Sequence, residues 1–156
     1  DEKYDEVKSI AENHLSENSQ DIVVISIYLD CLILSDLLDE AKTFIESLDE
    51  IILKEDLIQS SIQKLEIKKN NSSGPSLDEL KSLYAKKPND IDLLINLSEK
   101  LFSENLIDES FDILFSNFSK KQDIKKKKIL YFFEVLGNNN EKTIKYRKKL
   151  SSILFS

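Results

Sequence analysis

The chain has 156 residues, 33% of them charged and 40% hydrophobic, with a formal net charge of −7. A chain of this length can bury a sizeable core, and its hydrophobic content excludes intrinsic disorder. Only two glycines and two prolines are present, which excludes collagen-like sequences and disfavours turn-rich all-β folds. One cysteine and one histidine exclude an internal disulfide and Cys/His metal sites. No apolar stretch approaches the roughly 18 residues of a transmembrane helix, so we expect no membrane association and a cytoplasmic protein.

Charge is unevenly distributed along the chain. Residues 1–78 carry 18 acidic and 7 basic side chains, whereas residues 79–156 carry 11 and 15. This asymmetry predicts a polarised surface that could steer partners. Methionine is absent, and we therefore expect the chain to be a piece of a longer protein.

Apolar residues recur at helical spacing throughout, separated by short polar clusters. The spacing predicts nine helices, near residues 4–17, 21–35, 37–48, 54–69, 77–87, 90–104, 106–120, 123–136 and 141–155. Short connections between helices of this length predict antiparallel neighbours.

Two breaks are specific. Residues 70–76 read NNSSGPS and predict a flexible loop, after which Ser76 and Glu79 form a capping box that starts the next helix. Gly137, followed by three asparagines, suits the left-handed position that closes a helix.

The strongest organisational signal is an internal repeat. The segment from Asp21 to Ile45 matches the segment from Asp90 to Leu114 at an offset of 69, with apolar positions retained and Ala41 aligned with Ser110. Upstream, the sequences DEVKSI and DELKSL, which begin at residues 5 and 78, repeat at an offset of 73. Hairpins that cannot cover their own apolar faces stack to share a core.

An offset of 69 is close to twice the period of about 34 residues in tetratricopeptide repeats. The predicted fold class is therefore all-α, a right-handed array of antiparallel helix hairpins (degenerate tetratricopeptide repeats) with a C-terminal capping helix pair. We predict a single domain with a leading helix at 4–17, units at 22–55, 56–90 and 91–122, and the final pair at 123–155. The competing interpretation is an unrelated helical array with accidental similarity.

The C-terminal third carries a more specific resemblance. Residues 126–137 read KKKILYFFEVLG and residues 146–155 read YRKKLSSILF. This pair resembles the C-terminal signature of chaperedoxins, bacterial co-chaperones in which a thioredoxin domain precedes a tetratricopeptide-type domain. In that family a basic-flanked L-L-x-x-F-x-x-L-G helix precedes a final Y-R-x-x-L-A-S-L-L-F helix. Residues 87–110 look like the family's P-x-D…L…A…L…EEA repeat.

The resemblance implies a thioredoxin domain upstream, which this chain lacks. We expect no catalytic residue, no cofactor and no metal, since the chain has no C-x-x-C motif and no glycine-rich phosphate loop. Cys31 stands alone in an apolar stretch, as small buried residues do, and a dyad with His14 would need a cleft and an orienting group. Any thiol–disulfide chemistry would belong to the missing domain.

The expected function is to hold unfolded client polypeptides as the interaction domain of a co-chaperone. The repeat template places a candidate peptide groove on the first helix of each unit. The side chains on which we centre this groove are Ser26, Asp30, Ile33, Ile95, Glu99 and Phe102. Acidic and apolar residues here disfavour a clamp for a C-terminal carboxylate and favour extended basic or hydrophobic segments.

The final helix is amphipathic, with an apolar stripe and a basic opposite side formed by Lys142, Lys145 and Lys149. It is expected to cap the array. The chaperedoxin resemblance implies that it also docks on a chaperonin partner. The candidate docking residues are Tyr146, Arg147, Leu150, Ile153, Leu154 and Phe155.

Two alternatives remain open. The chain could be a generic scaffold for one specific protein partner unrelated to chaperoning. A less favoured alternative is nucleic-acid binding through a lysine run, although the net charge of −7 opposes it and we expect no nucleic-acid partner. The run comprises Lys120, Lys121, Lys125, Lys126, Lys127 and Lys128.

Overall fold

The computed structural model describes residues 2–118 and 123–155. Within these ranges every regular element is an α-helix, which confirms the all-α prediction. The ten helices are α1 (Glu2–Glu17), α2 (Ile22–Leu34), α3 (Leu38–Glu46), α4 (Glu50–Leu53), α5 (Asp56–Ser72), α6 (Leu77–Lys86), α7 (Ile91–Ser103), α8 (Ile107–Phe115), α9 (Asp123–Leu136) and α10 (Glu141–Phe155).

The predicted helices omit one helix, and two of their ends are wrong by three residues or more. The short helix α4 was not foreseen, and α8 ends at Phe115 rather than at residue 120. Helix α5 continues through three residues of the predicted loop to Ser72. Lys100 donates from Nζ to the main-chain oxygen of Asn71 at 3.1 Å, so a distant helix stabilises a C-terminal turn that local propensity disfavours.

Two predicted termini are confirmed. Glu79 donates its backbone N–H to Ser76 Oγ at 3.3 Å, and its carboxylate accepts from the Ser76 N–H at 2.8 Å, which completes the capping box. Gly137 has φ 84° and donates its N–H to the carbonyls at the end of α9. Both ends use partners within four residues, which explains why the sequence alone predicted them.

The chain divides into two compact units, Asp1–Lys69 and Asn70–Ser156. In the first unit α2 packs against α1 and α3, around a core that includes Ile25, Leu29 and Leu32. In the second unit α7 packs in the same way against α6 and α8, with Leu80, Leu97 and Leu101 in its core. Each unit thus contains a three-helix module, α1–α2–α3 or α6–α7–α8. The proposed division into one domain with three repeat units stays a prediction.

The internal repeat reappears as repeated local geometry in these two modules. Asp21 accepts the backbone N–H groups of the next helix's first turn at 3.1 and 3.2 Å, and Asp90 does so at 3.1 Å. Ala41 and Ser110 are both fully buried, as expected for close helix crossings. The Ser110 hydroxyl donates to the Ser98 carbonyl on the facing helix at 2.8 Å.

The weaker offset of 73 is also structural. Lys8 of α1 pairs with Glu40 of α3 at 3.1 Å, and Lys81 of α6 pairs with Glu109 of α8 at 3.5 Å. The lysines are 73 positions apart and the glutamates 69. Helix α1 therefore has the same place in the first module as α6 has in the second.

The second unit also contains an aromatic cluster that joins α8, α9 and α10. Phe111 of α8 stacks on Tyr146 of α10 at 4.4 Å and on Phe133 of α9 at 5.4 Å between ring centroids. All three side chains are at most 1% exposed. Stacked aromatic pairs add to the free energy of burial, so this cluster anchors the final helix pair.

Candidate protein-interaction surfaces

In the first unit, helix α5 covers part of the predicted peptide groove. Asp30 on α2 pairs with Lys64 Nζ at 2.6 Å and accepts from Ser61 Oγ at 3.0 Å, and both partners lie on α5. Ile33 is 4% exposed and belongs to the core. The predicted exposure of Ile33 is therefore wrong, and the Asp30 carboxylate is already engaged.

The same arrangement recurs in the second unit. Glu99, 69 positions after Asp30, pairs with Lys128 of α9. Phe102, 69 positions after Ile33, is 5% exposed and stacks on Phe132 of α9 with centroids 4.1 Å apart. The surface prediction for Phe102 is therefore also wrong. In both modules a helix from later in the chain packs on the acidic and apolar residues at these positions, α5 in the first module and α9 in the second.

A sequence signal for this packing was present. A lysine follows each acidic groove residue by about one repeat length, at position 64 after Asp30 and at position 128 after Glu99. Paired acidic and basic residues at this separation indicate neighbouring helices. Lys128, predicted as part of the lysine run, is one of these two partners.

What remains open in the first unit is an apolar surface formed by Val23 and Ile27 of α2 and by Leu57 of α5, which we call the α2–α5 surface. Their exposed fractions are 56%, 41% and 48%. Ser26 at its edge is half-buried, as is Ile95 in the second module.

Two ion pairs fix the direction of α5 relative to α2. Asp30 contacts Lys64, and Asp36 contacts Lys68 further along both segments, so the helices run in the same direction. Val23 and Leu57 each lie seven residues before the Asp30–Lys64 pair. Seven residues are about two helical turns, so Val23 lies on the face of α2 that carries Asp30, and Leu57 on the face of α5 that carries Lys64.

The final helix packs inward along its stripe, as a capping helix does. Tyr146 is fully buried and Leu150 is 6% exposed, whereas Ile153 and Leu154 are half-buried. Phe155 is 87% exposed. The stripe and the outward end of α10 are thus separate surfaces.

Arg147 is exposed and stabilises the turn that precedes α10. It donates from Nη2 to Asn138 Oδ1 at 2.6 Å, and its guanidinium lies 5.4 Å from the Phe133 ring centroid. A guanidinium over an aromatic face gains cation–π stabilisation. Arg147 therefore has a structural role on the last turn of the array.

The expected basic side of α10 is largely neutralised. Lys145 pairs with Asp108 of α8 at 2.7 Å, Lys149 pairs with Asp112 at 3.2 Å, and Lys142 also pairs with Asp108. The Tyr146 hydroxyl donates to Asp108 Oδ1 at 2.9 Å. The Lys142 and Lys145 ammonium groups and this hydroxyl hold the pKa of Asp108 well below its usual range. Burial, together with the Asp108 carboxylate, raises the pKa of Tyr146 above its ordinary value.

The lysine run does not form a continuous basic surface. Lys125 is 4% exposed and Lys128 is paired with Glu99. Lys127 is exposed and Lys126 half-buried, while Lys120 and Lys121 lie outside the described residues. Inward-facing lysines cannot neutralise phosphates, and this weakens the nucleic-acid alternative further.

The two residues that were weighed for catalysis are otherwise occupied. Cys31 is 6% exposed, and burial raises the pKa of its thiol, which opposes thiolate chemistry. His14 Nε2 lies 3.0 Å from Asp21 Oδ2, the residue that caps α2. Both residues have local structural roles.

Comparison with known proteins agrees with this geometry. A family profile described as tetratricopeptide repeat matches residues 70–155, more than half of the chain. The chain belongs to the tetratricopeptide repeat family. This confirms the repeat type, whereas membership of the thioredoxin-linked chaperedoxins stays a prediction.

A solved structure supports the fold of this tetratricopeptide repeat protein over its whole length. The chain is similar to a domain of protein VP0806 from Vibrio parahaemolyticus, described as of unknown function, with 22% identity and a TM-score of 0.50. The match covers 99% of this chain and 100% of that one. No curated protein matches the chain. Among the helices of residues 2–118 and 123–155, none is long and apolar enough to cross a membrane.

Proposed function

We propose that this tetratricopeptide repeat protein binds extended polypeptide segments on the α2–α5 surface. The observation that carries the proposal is the exposure of Val23 and Ile27 on one helix. At the equivalent positions of the second module stand Asp92 and Asn96, which are exposed polar residues. The fold therefore tolerates polar residues at these two positions, and apolar residues there favour contact with a partner.

The charge of the first unit indicates the chemistry of the segment. Residues 1–69 carry 17 acidic and 7 basic side chains. An acidic surround attracts lysine and arginine side chains, while the three apolar side chains gain roughly 25 cal/mol for each Å² that a partner covers. A segment that alternates basic and apolar residues meets both requirements, as unfolded polypeptides often do.

The finer form of the proposal is a co-chaperone domain that holds unfolded clients and passes them to a chaperonin. It is supported by the resemblance of residues 77–155 to chaperedoxins and by the exposure of Phe155 at the end of α10. In this arrangement the α2–α5 surface holds the client. The outward end of α10 contacts the chaperonin, while Tyr146 and Leu150 keep the helix in place. The proposal assigns no catalysis to the chain.

The client-holding role is tested by suppression of aggregation of a chemically unfolded protein. The double variant Val23→Ser/Ile27→Ser should lose most of the suppression while its free energy of unfolding changes little. Ile51→Ser is the matched control, because Ile51 is 78% exposed and lies on α4. Equal suppression by the double variant and the wild type would remove the α2–α5 surface from the proposal. If the wild type suppresses no aggregation yet captures one folded partner, the scaffold alternative is correct.

The docking role requires a separate measurement. Phe155→Ser should abolish co-elution with a chaperonin and leave both aggregation suppression and thermal stability unchanged. Arg147→Gln, which alters the neighbouring turn without removing an exposed apolar residue, serves as the comparison. Retained co-elution of Phe155→Ser would contradict docking through the end of α10.

A further inference from the structure

A cleft in the second unit shares no residue with the α2–α5 surface or with the apolar stripe of α10. It has a volume of about 440 Å³ and is bordered by the α6–α7 turn, the end of α8 and the start of α9. Tyr84, Ile91, Leu94 and Ile124 give it apolar walls. A cleft of this size falls in the range of small-molecule and short-peptide sites.

Lys125 lines the cleft and is only 4% exposed. Its ammonium donates to the Ser116 carbonyl at 2.7 Å. Within residues 2–118 and 123–155 no carboxylate lies at ion-pair distance from it, although Lys128, one turn further along, is paired with Glu99. Burial lowers the pKa of Lys125, the direction expected for a buried ammonium without a counter-ion.

A buried ammonium without a carboxylate is unfavourable, because its lost hydration is not replaced. One carbonyl accepts one of its three donated hydrogens. An anion in the cleft would restore the missing charge compensation and accept the remaining hydrogens. The free energy of binding such an anion would therefore include the relief of this unfavourable burial.

Two acidic residues restrict which anion fits. Asp90 and Asp123 also line the cleft. The Asp90 carboxylate already accepts two backbone N–H groups of α7, but its charge and that of Asp123 repel a dianion such as sulfate. A singly charged group attached to an apolar body satisfies Lys125, tolerates the two carboxylates and covers the apolar walls.

We propose that this cleft binds a monocarboxylate that carries an apolar group, with the Lys125 ammonium as the carboxylate partner. Two kinds of ligand carry such a carboxylate: a free small acid and the C-terminus of a polypeptide. The site belongs to the second unit and does not depend on the α2–α5 surface, so its failure would leave the proposed function intact.

The test is a titration of the full chain at pH 6.5, followed by amide chemical shifts in NMR spectra. N-acetyl-leucine is the acid probe and N-acetyl-leucinamide its uncharged counterpart. We expect saturable shifts at residues 84, 91, 116 and 125 with the acid, and affinity at least about tenfold lower for the amide, as for a lost hydrogen bond to a charged group. Inorganic sulfate, a dianion at this pH, should not compete.

Lys125→Met retains the apolar stem and removes the charge, and Lys127→Met is the matched exposed control. The first variant should lose binding of the acid at least about tenfold, and the second should keep it. Should Lys125→Met fail to fold, the comparison of acid with amide on the wild type still decides the proposal. Equal affinity for both probes, or binding of the acid retained in folded Lys125→Met, would overturn it.

A hexapeptide that ends in leucine, with a free or an amidated C-terminus, separates the two sources. Tighter binding of the free-terminus peptide than of N-acetyl-leucine assigns the site to polypeptide C-termini. The reverse order assigns it to small acids. Failure of both the free peptide and N-acetyl-leucine to shift the cleft residues refutes the site.

Discussion

Asp36 and Asn105, 69 positions apart, both adopt a left-handed backbone, with φ of 58° and 60°. Each sits between two helices of its module, α2 and α3 or α7 and α8. The following leucine, Leu37 or Leu106, donates its N–H to a carbonyl five residues back at 2.9 Å. The two modules thus share a turn in which only residues tolerant of positive φ fit without strain.

This turn predicts the effect of substitutions at Asn105, whose side chain is exposed. Asn105→Val should lower the free energy of unfolding by about 1–2 kcal/mol, because a β-branched residue is strained at positive φ. Asn105→Gly should change it by less than about 1 kcal/mol, since glycine tolerates the conformation but has a more flexible unfolded chain. Urea unfolding of both variants checks this, and equal effects would contradict a left-handed turn.

The crossing of α7 with α8 predicts a size limit at Ser110. Ser110→Ala should lose about 1 kcal/mol, the value of the hydrogen bond to the Ser98 carbonyl. Ser110→Leu should lose about 1–3 kcal/mol or more, because the fully buried position cannot accept three extra carbons without displacing helices. Thermal unfolding distinguishes the two. A leucine that leaves the melting temperature unchanged would show that the crossing is loose.

Ile33 and Phe102 should behave as core residues. Ile33→Ala should cost about 2–5 kcal/mol and Phe102→Ala about 3–5 kcal/mol, through lost burial and the cavities left behind. Val23→Ser and Ile27→Ser, on the exposed surface of α2, should each cost less than about 0.5 kcal/mol. Denaturant titrations of the four single variants measure the contrast. Similar values across the set would mean that the surface and core assignments of α2 and α7 are incorrect.

The Asp108 cluster predicts a pH-dependent contribution to stability. Its pKa is lower in the folded chain than the ordinary 3.8, chiefly because of Lys142 and Lys145. The contribution of ionised Asp108 to the free energy of unfolding is therefore fully present above the pKa that Asp108 has in the unfolded chain. It is lost as the pH falls below about 4, toward the lower pKa of the folded chain. Asp108→Asn should be less stable at pH 7 by about 1 kcal/mol or less, because solvent screens this partly exposed group.

The difference in free energy of unfolding between wild type and Asp108→Asn should become smaller as the pH falls below 4. It should also become smaller when the salt concentration is raised at pH 7. Urea unfolding at three pH values measures it. Asp112→Asn is a useful comparison, since Asp112 pairs with Lys149 and accepts only a long hydrogen bond, of 3.4 Å, from the Tyr146 hydroxyl. A difference that grows on acidification would contradict the ionic interpretation.

The sequence by itself determined the helical class, the offset of 69 and several helix ends. Asp21, Asp90, Ser76 and Gly137 act on backbone groups only a few residues away, so their roles can be deduced from local sequence. The pairing of Ala41 with Ser110 follows from the same alignment, because equivalent crossings require small residues.

Only the tertiary structure decided which faces of the helices are free. Ile33 lies on a helix that is apolar on most sides and Phe102 on an amphipathic one, and on neither can periodicity alone tell a groove from a second packing face. In sequence, nothing distinguishes Lys128 and Lys142 from the exposed Lys127. In the structure, each pairs with an acidic residue about 30 positions earlier in the chain. Burial and ion pairing depend on a helix that is distant in sequence, and no local pattern specifies how that helix docks.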